Sequence, residues 1–373
     1  MKEIKSIEDL NLITTDCDHI LTLFTGSIES VYTLKLLSDS NCQVTALALD
    51  LGGGFNKEEL FDIANFFDIR LKVMNCQTTF AEQAVIPAIK AQAESLHMYP
   101  VSSSLTRPII AKVAVDLAKS LGCDAIIHSA MYSIDSMCQL GNSISLLNYH
   151  GFYGSPYDNL SLSREQMAKK LEDEGLITGL SPDLCRSSNL WCRKYLLQAP
   201  SNSEKFYVSE GVFHWSTNSI SVDDQPNSIS ISFTNGLPTH FNHQAMKIVP
   251  LIEAINEHIG AFGIGRFSSY DYSDNTTQQI EICEAPAAIA IMMAYRHLET
   301  TLLGAEVMLK KSTIEKAWVA ETNEGRWFSV LKGALESFIN YAASNVTGTV
   351  SFTLHGGALN VTSIECNNTV MTE

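Results

Sequence analysis

The residues best suited to chemistry lie in one segment, Leu23-Phe24-Thr25-Gly26-Ser27-Ile28-Glu29-Ser30-Val31. Its apolar start predicts a strand over residues 20–24, and the pattern after the turn predicts a helix over residues 27–38. Such a turn presents hydroxyls, backbone N–H groups and the positive end of a helix dipole to an anion. It therefore predicts a phosphate or pyrophosphate site, although it is neither a P-loop nor a G-x-G-x-x-G turn. The alternative is a turn that only connects a strand to a helix.

The elements that must position this turn alternate along the first part of the chain. Strands are predicted over residues 20–24, 43–51, 70–75 and 124–128, and helices over residues 27–38, 56–67, 80–95 and 105–121. This alternation predicts a parallel sheet covered by helices on both faces. Ligands of such sheets bind outside the carboxyl ends of the strands. Three turns meet that requirement, namely those after Phe24, at Gly52-Gly53-Gly54 and after His128.

The second part of the chain has α+β character. Strands are predicted over residues 219–222, 228–233, 264–270, 346–354 and 358–364, and helices over residues 240–258, 287–303 and 328–343. A polar stretch over residues 148–159 precedes a helix start at Leu162-Ser163-Arg164-Glu165. We therefore expect two domains, over residues 1–160 and 161–373.

Composition narrows the class of protein. The net charge of −16 argues against a nucleic-acid or anionic-membrane partner, since both favour clustered Lys and Arg. The nine cysteines include no C-x-x-C pair, so neither a metal site nor a disulfide scaffold is indicated. No signal peptide or membrane span is visible, and we expect a cytoplasmic protein with reduced thiols.

Short segments spread over residues 19–364 carry a family resemblance. They are Asp50-Leu51-Gly52, Pro87-Ala88-Ile89-Lys90-Ala91, Tyr99-Pro100, Leu105-Thr106-Arg107-Pro108-Ile109-Ile110-Ala111-Lys112, His128, Asn189-Leu190-Trp191-Cys192-Arg193, Gly263-Ile264-Gly265-Arg266, Glu284-Ala285-Pro286-Ala287-Ala288, Arg296-His297-Leu298-Glu299, Trp327-Phe328 and Val346-Thr347-Gly348-Thr349-Val350. Taken in this order, they resemble the argininosuccinate synthase family of the PP-loop (ATP-pyrophosphatase) group. The resemblance implies a doubly wound, adenine nucleotide alpha-hydrolase-like domain followed by a synthetase-like domain.

The resemblance also implies a reaction. In that family ATP adenylates citrulline with release of pyrophosphate, and the amine of aspartate then displaces AMP. ATP with Mg²⁺ is thus the expected cofactor. The implied ATP or pyrophosphate residues are Thr25, Gly26, Ser27, Glu29, Ser30, Leu49 and Ser129.

The phosphate loop departs from the family pattern S-G-G-L-D-T-S. Thr25 keeps a hydroxyl and Gly26 is retained, but Ser27 replaces a glycine and Glu29 replaces an aspartate. Val31 replaces a serine and removes one donor, which costs about 1.5–3 kcal/mol toward an ionised ligand. The loop is therefore expected to bind more weakly.

The substrate pockets depart further. The implied substrate residues are Tyr99, Ser103, Ser104, Arg107, Asp135, Ser136, Gln139 and Asp271. Met131, Asp135, Ser136 and Gln139 stand where the family has Thr, Asn, Asp and Arg. Family serines align with Cys185 and Lys194, an acidic residue with Ser187, and a Glu and a Tyr with Asp271 and Cys283.

Two functions remain open from the sequence, with a third less favoured. The first is an ATP-dependent ligase that adenylates a small molecule other than citrulline and joins it to an amine other than aspartate. The second is a noncatalytic homologue that binds a nucleotide or small ligand, and the third is argininosuccinate synthase itself. No residue is assigned a catalytic role. Small-molecule substrates and a homo-oligomer, either dimer or tetramer, are expected, although most of the family's C-terminal arm is missing. No function is assigned to residues 1–18.

Overall fold

The computed structural model describes residues 3–95, 98–130, 134–159, 162–176, 185–198, 208–218, 226–271 and 279–366. The first half of the chain alternates strands and helices, as its pattern predicts. Its strands are β1 (Glu3–Ile4), β2 (His19–Leu23), β3 (Gln43–Asp50), β4 (Arg70–Asn75), β5 (Glu94–Ser95), β6 (Tyr99–Pro100), β7 (Ala125–Ile127) and β8 (Phe152–Gly154). Its helices are α1 (Ile7–Asp16), α2 (Ile28–Ser38), α3 (Lys57–Phe66), α4 (Gln77–Phe80), α5 (Ile86–Lys90), α6 (Ser103–Leu121), α7 (Ile134–Leu146) and α8 (Arg164–Asp173).

Six of these strands form one parallel sheet in the order β1-β8-β7-β2-β3-β4. Strand β2 lies between β3 and β7, and all five of its residues are buried. Helices cover the sheet, and separate apolar clusters pack on its faces. The predicted α/β class is therefore confirmed.

The N-terminal residues extend this sheet. Strand β1 pairs in parallel with β8, and α1 follows with Ser6 as its N-cap, whose side chain accepts from the N–H of Asp9. Ile4, Leu10 and Ile13 are buried in a cluster with Ile20 of β2. The segment that the sequence left without a role thus completes one edge of the sheet.

The second half is α+β, also as predicted. Its strands are β9 (Cys185–Ser188), β10 (Arg193–Gln198), β11 (Asn227–Thr234), β12 (Leu237–Phe241), β13 (Gln244–Ala245), β14 (Arg266–Asp271), β15 (Gln279–Glu284), β16 (Gly348–His355) and β17 (Ala358–Glu365). Its helices are α9 (Ile248–Gly260), α10 (Pro286–Leu302), α11 (Ala305–Asn323) and α12 (Val330–Ala343). The strands form two antiparallel sheets, β14-β15-β10-β9 and β13-β12-β11-β16-β17.

Two predicted helices are wrong in extent. Residues 240–245 form the end of β12, a turn and β13 rather than helix, because Asn242 and His243 adopt positive φ angles (48° and 65°) in the hairpin turn. The helix predicted over residues 80–95 ends at Lys90, and Gln92, two residues later, has a positive φ of 45°. Within this helical segment, residues 81–85 are π-helical. The strand predicted over residues 219–222 lies outside the described residues.

Helix α11 has no counterpart among the predicted elements. Its buried side chains include Lys311 and Glu315, which form an ion pair with Nζ 2.5 Å from Oε1. Lys311 also lies 2.7 Å from a carboxylate oxygen of Glu299 in α10 and donates to the carbonyl of Lys90. Burial raises the pKa of Glu299 to about 7. Because this buried face is charged, an apolar periodicity could not reveal the helix.

The loop at residues 189–192 joins the two halves. Asn189 donates to Ser102 Oγ (3.0 Å) and accepts from the N–H groups of Trp191 and Cys192. Leu190 N–H donates to the carbonyl of Leu51, and its own carbonyl accepts from Asn256. The domain division at residue 160 stays a prediction. Helix α8, which follows this division in sequence, packs against α2 through Met167 and Leu171.

Candidate functional site

The predicted phosphate loop lies at the carboxyl edge of the parallel sheet. Strands β7, β2 and β3 are adjacent and parallel, so the segments that follow Ile127, Leu23 and Asp50 emerge at the same edge. Thr25 follows β2 and Ser129 follows β7, whereas Leu49 lies half-buried near the end of β3. The fold therefore brings these three predicted nucleotide residues to the edge where such sheets bind ligands.

Three hydroxyls converge in the phosphate loop. Thr25 Oγ1 lies 3.2 Å from Ser27 Oγ and 3.3 Å from Ser30 Oγ. Ser27 is the N-cap of α2, and its Oγ accepts from the N–H of Ser30 at 3.3 Å. Thr25 is exposed and Ser30 is buried, so the cluster reaches from the core to the surface. These hydroxyls and the helix N-terminus can together donate to an anion.

Gly26 gives the loop its path. Its φ is +80°, and a Cβ there would lie 2.8 Å from Cδ2 of Leu60, so both conformation and space favour glycine. Val31, where the family pattern has a serine, is fully buried in the cluster beneath α2.

The carboxylate of Glu29 is engaged by another helix. Glu29 lies in the first turn of α2, and its Oε1 is 2.7 Å from Nε of Arg164, the first residue of α8. The Tyr157 hydroxyl lies 2.9 Å from the Glu29 carbonyl and 2.8 Å from Thr33 Oγ1. The sequence analysis predicted the helix start here but gave Arg164 no role. At this helix start, Ser163 forms a capping box with Gln166.

The Gly52–Gly54 turn packs against the second half of the chain. A Cβ on Gly53 would lie 2.7 Å from the backbone N of Asn189, and Ser188 Oγ donates to the Gly53 carbonyl at 2.5 Å. Gly52 contacts Leu190 in the same way. The first two glycines of this turn therefore serve a close approach of two backbones, and Gly54 alone has open space beside it.

His128 is a hydrogen-bonded structural residue. Its Nδ1 accepts from the N–H of Ala130 (3.2 Å), which leaves the proton on Nε2, 3.1 Å from the Tyr153 hydroxyl. Burial, together with the positive charge of the Arg107 guanidinium, lowers the pKa of His128 to about 3. The ring is neutral at physiological pH and has no nitrogen left to act as a base.

Tyr99 lies against the ammonium of Lys194, a residue that the sequence analysis named only because a family serine aligns with it. Lys194 Nζ is 4.9 Å from the centroid of the Tyr99 ring and forms an ion pair with Glu281. Although burial opposes it, the carboxylate of Glu281 raises the pKa of Lys194. Burial also raises the pKa of Tyr99. The ion pair of Lys194 and Glu281 thus lies next to Tyr99, a predicted substrate residue. The sequence analysis did not single out Glu281.

Two further predicted substrate residues lie in contact. Gln139 Nε2 is 3.3 Å from Ser104 Oγ and 2.8 Å from the Asn323 carbonyl at the end of α11. Ser103 and Arg107 lie half-buried on the same helix as Ser104, α6. The Gln139 amide is therefore shared between the predicted pocket and the end of α11.

Three predicted substrate residues cannot be placed at side-chain level. Asp135 and Ser136 lie in α7 and Asp271 ends β14, but their side chains lie outside the described part of the structure, as does all of Met131. Within the described residues, no group of three His, Cys, Asp or Glu side chains could hold a metal ion. None of the helices described is both long and apolar enough to cross a membrane.

Comparison with known proteins gives two family matches that together span most of the chain. Residues 19–173 match the Arginosuccinate synthase N-terminal HUP domain, and residues 187–373 match the Arginosuccinate synthase C-terminal domain. Three curated proteins named argininosuccinate synthase are similar over most of their length. The one from Oceanobacillus iheyensis is 29% identical over 95% of this chain and 85% of its own. Those from Rubrobacter xylanophilus and Acaryochloris marina are 28% and 32% identical, over 92% and 86% of this chain and 84% and 80% of theirs.

Proposed function

The chain belongs to the argininosuccinate synthase family, and on that premise we propose that it is an ATP-dependent carbon–nitrogen ligase whose substrates differ from citrulline and aspartate. In this proposal a small molecule is adenylated through one of its oxygens, pyrophosphate leaves, and an amine then displaces AMP. The observation that carries the ligase assignment is the hydroxyl cluster of Thr25, Ser27 and Ser30 at the N-terminus of α2.

The loop's contribution would be positioning and charge stabilisation. Hydroxyls and N–H groups fixed before the reaction stabilise the charge that develops on the departing pyrophosphate without having to reorganise. Mg²⁺ would enter on the phosphates of ATP, because it keeps several waters and needs few protein ligands. Thr25, Ser27 and Ser30 are the described groups that we assign to the phosphate oxygens.

The altered substrate is supported by the charges around Tyr99. The ion pair of Lys194 and Glu281 lies next to this ring. Cys283, which is smaller than the tyrosine of the family pattern, lies opposite Lys194 in the β10–β15 pair. Cys283 Sγ lies 2.9 Å from Cys192 Sγ, so the space beside it is filled by a second thiol. Gln139, in place of a family arginine, gives its amide to Ser104 and Asn323. A pocket with these groups differs in charge and shape from the one that the family pattern describes.

A second candidate is argininosuccinate synthase itself. All three relatives compared above carry that name, and this favours citrulline and aspartate as substrates. The two candidates differ in what the purified protein should bind and turn over.

Calorimetric titration and an assay of pyrophosphate release test the proposal. We expect ATP–Mg²⁺ to bind, and neither citrulline nor aspartate to bind at millimolar concentration or to stimulate pyrophosphate release. Release of pyrophosphate that depends on both amino acids would establish the second candidate instead. No binding of ATP at millimolar concentration would reject both and favour a noncatalytic homologue.

A further inference from the structure

The Glu29–Arg164 ion pair lies at the helix end that the phosphate loop offers to a ligand. Glu29 is in the first turn of α2, its side chain is 9% exposed, and its carboxylate is 2.7 Å from the Arg164 guanidinium. The Arg164 side chain is 20% exposed. This pair therefore places one negative and one positive charge at the first turn of α2, the helix that Ser27 caps.

A carboxylate at this position conflicts with phosphate binding. Negative charge near a helix N-terminus is favoured by the helix dipole, so Glu29 and a bound polyphosphate would use the same electrostatic site. Like charges repel strongly where burial limits screening by water. An unpaired Glu29 would consequently weaken the binding of any anion to the loop.

Other contacts fix α2 independently of Arg164. The Tyr157 hydroxyl bridges the Glu29 carbonyl and Thr33, and Lys170 Nζ lies 3.3 Å from the Tyr32 hydroxyl. Met167 of α8 is buried in the cluster shared with α2. The position of α2 is thus supported by hydrogen bonds and apolar packing, so the particular contribution of Arg164 is its charge.

We propose that Arg164 is a positioning residue for nucleotide binding, which holds and neutralises the Glu29 carboxylate so that the N-terminus of α2 accepts the polyphosphate of ATP. This proposal rests on the proposed function, because it concerns the same loop. It assigns to Glu29 an indirect part, in which its backbone and its paired side chain shape the site without contacting the phosphates.

The test compares ATP–Mg²⁺ with adenosine, which lacks the phosphates, by calorimetric titration. Arg164→Gln should weaken ATP binding by about tenfold or more and adenosine binding by less than about twofold, because only the anion meets the unpaired carboxylate. Arg164→Lys keeps the charge and should stay within about threefold of wild type for ATP. Lys169→Gln removes an exposed cation from the same helix, and should leave both affinities unchanged.

A double variant separates charge from packing. Glu29→Gln combined with Arg164→Gln leaves a neutral pair of similar size, and should recover ATP affinity to within about threefold of wild type. A double variant that binds ATP as weakly as Arg164→Gln would overturn the proposal, since it would mean that the ligand requires the Glu29 carboxylate itself. An equal loss for ATP and adenosine in Arg164→Gln would also overturn it, because a distorted loop affects both ligands.

The outcome for the wild type separates this proposal from the function on which it rests. If the wild-type protein binds neither ATP–Mg²⁺ nor inorganic pyrophosphate, the proposed ligase function fails, and this assignment fails with it. If the wild type binds ATP and Arg164→Gln binds it equally well, only the role of Arg164 is rejected.

Discussion

Thr25, Ser27 and Ser30 are close in space because they are close in the chain. A strand, a turn rich in Gly, Ser and Thr, and a helix are local features, so the sequence alone could indicate the turn that holds this cluster. The partner of Glu29 is more than a hundred residues away, and no local pattern could indicate it. The same holds for Lys194 and Glu281, which meet only because β10 and β15 pair.

At the residue scale, the role of the phosphate loop in ATP binding can be tested by removing one hydroxyl group. Ser30→Ala removes a group 3.3 Å from Thr25 Oγ1 and 2.9 Å from the Ser27 carbonyl. We expect it to weaken ATP binding by about tenfold, the effect of losing one hydrogen bond to a charged ligand. Calorimetric titration measures this change.

Ser38→Ala is the matched control for this substitution. Ser38 lies in the last turn of the same helix, is exposed, and bonds the Lys35 carbonyl. It should bind ATP like the wild type. Equal affinities for Ser30→Ala and wild type would remove this hydroxyl from the binding site.

At the scale of elements, prediction succeeded for β2, β3, β4 and β7 and missed the helices α1, α7 and α11. The strands and helices of the parallel sheet follow apolar periodicity, and the fold class could be predicted from them. Helix α11 turns Lys311, Glu315 and Glu321 toward the interior, so its pattern resembled a solvent-exposed segment. The hairpin at Asn242 and His243 was missed because only backbone geometry distinguishes it from a helix start.

Helices α11 and α12 are joined by another buried cation. Lys332 of α12 is fully buried, with Nζ 3.6 Å and 4.0 Å from the ring centroids of Trp327 and Trp318 and 3.5 Å from a Glu336 oxygen. Burial lowers its pKa to about 8. The folded protein therefore releases this proton at a lower pH than the unfolded chain, which holds it until about pH 10.5.

The sign of the resulting pH dependence follows from proton linkage. Between about pH 8 and pH 10.5 the unfolded state binds more protons at Lys332, so this residue's contribution to stability rises with pH. The free energy of unfolding of wild type, minus that of Lys332→Met, should increase by as much as roughly 3 kcal/mol from pH 7.5 to 10.5. Urea unfolding at several pH values measures it.

Lys332→Arg provides the charged comparison. A guanidinium stays protonated throughout this range, so the difference between Lys332→Arg and Lys332→Met should not vary with pH. A difference between wild type and Lys332→Met that is also independent of pH would contradict the assignment of a titrating amine to this position.

At the scale of the whole molecule, several contacts join the halves, and α12 exposes apolar side chains. The loop at residues 189–192 bonds to Leu51, Ser102 and Asn256. On α12, Val330 is 92% and Tyr341 81% exposed. Leu331 and Phe338 are further exposed apolar residues of this helix. Contiguous apolar side chains on a folded protein often mark an interface, and we propose that the chain forms a homo-oligomer through α12.

Analytical ultracentrifugation tests this assembly. The double variant Val330→Asp, Tyr341→Glu places charges on the exposed face, and should reduce the mass in solution to that of one chain without lowering the stability of the fold. Leu12→Glu changes an exposed leucine on α1, far from this surface in sequence, and should leave the mass unchanged. A monomeric wild type, or an assembly unaffected by the double variant, would contradict the proposal.

The pairing of β1 with β8 has a consequence for synthesis. Glu3 lies opposite Tyr153, so the partner of the first strand leaves the ribosome roughly 150 residues after it. Until then β1 has no strand to pair with, although α1 can already pack on Ile20 of β2. The sheet's outer strand therefore pairs only after residues 153–154 are synthesised, and a nascent chain halted before residue 152 would leave β1 unpaired.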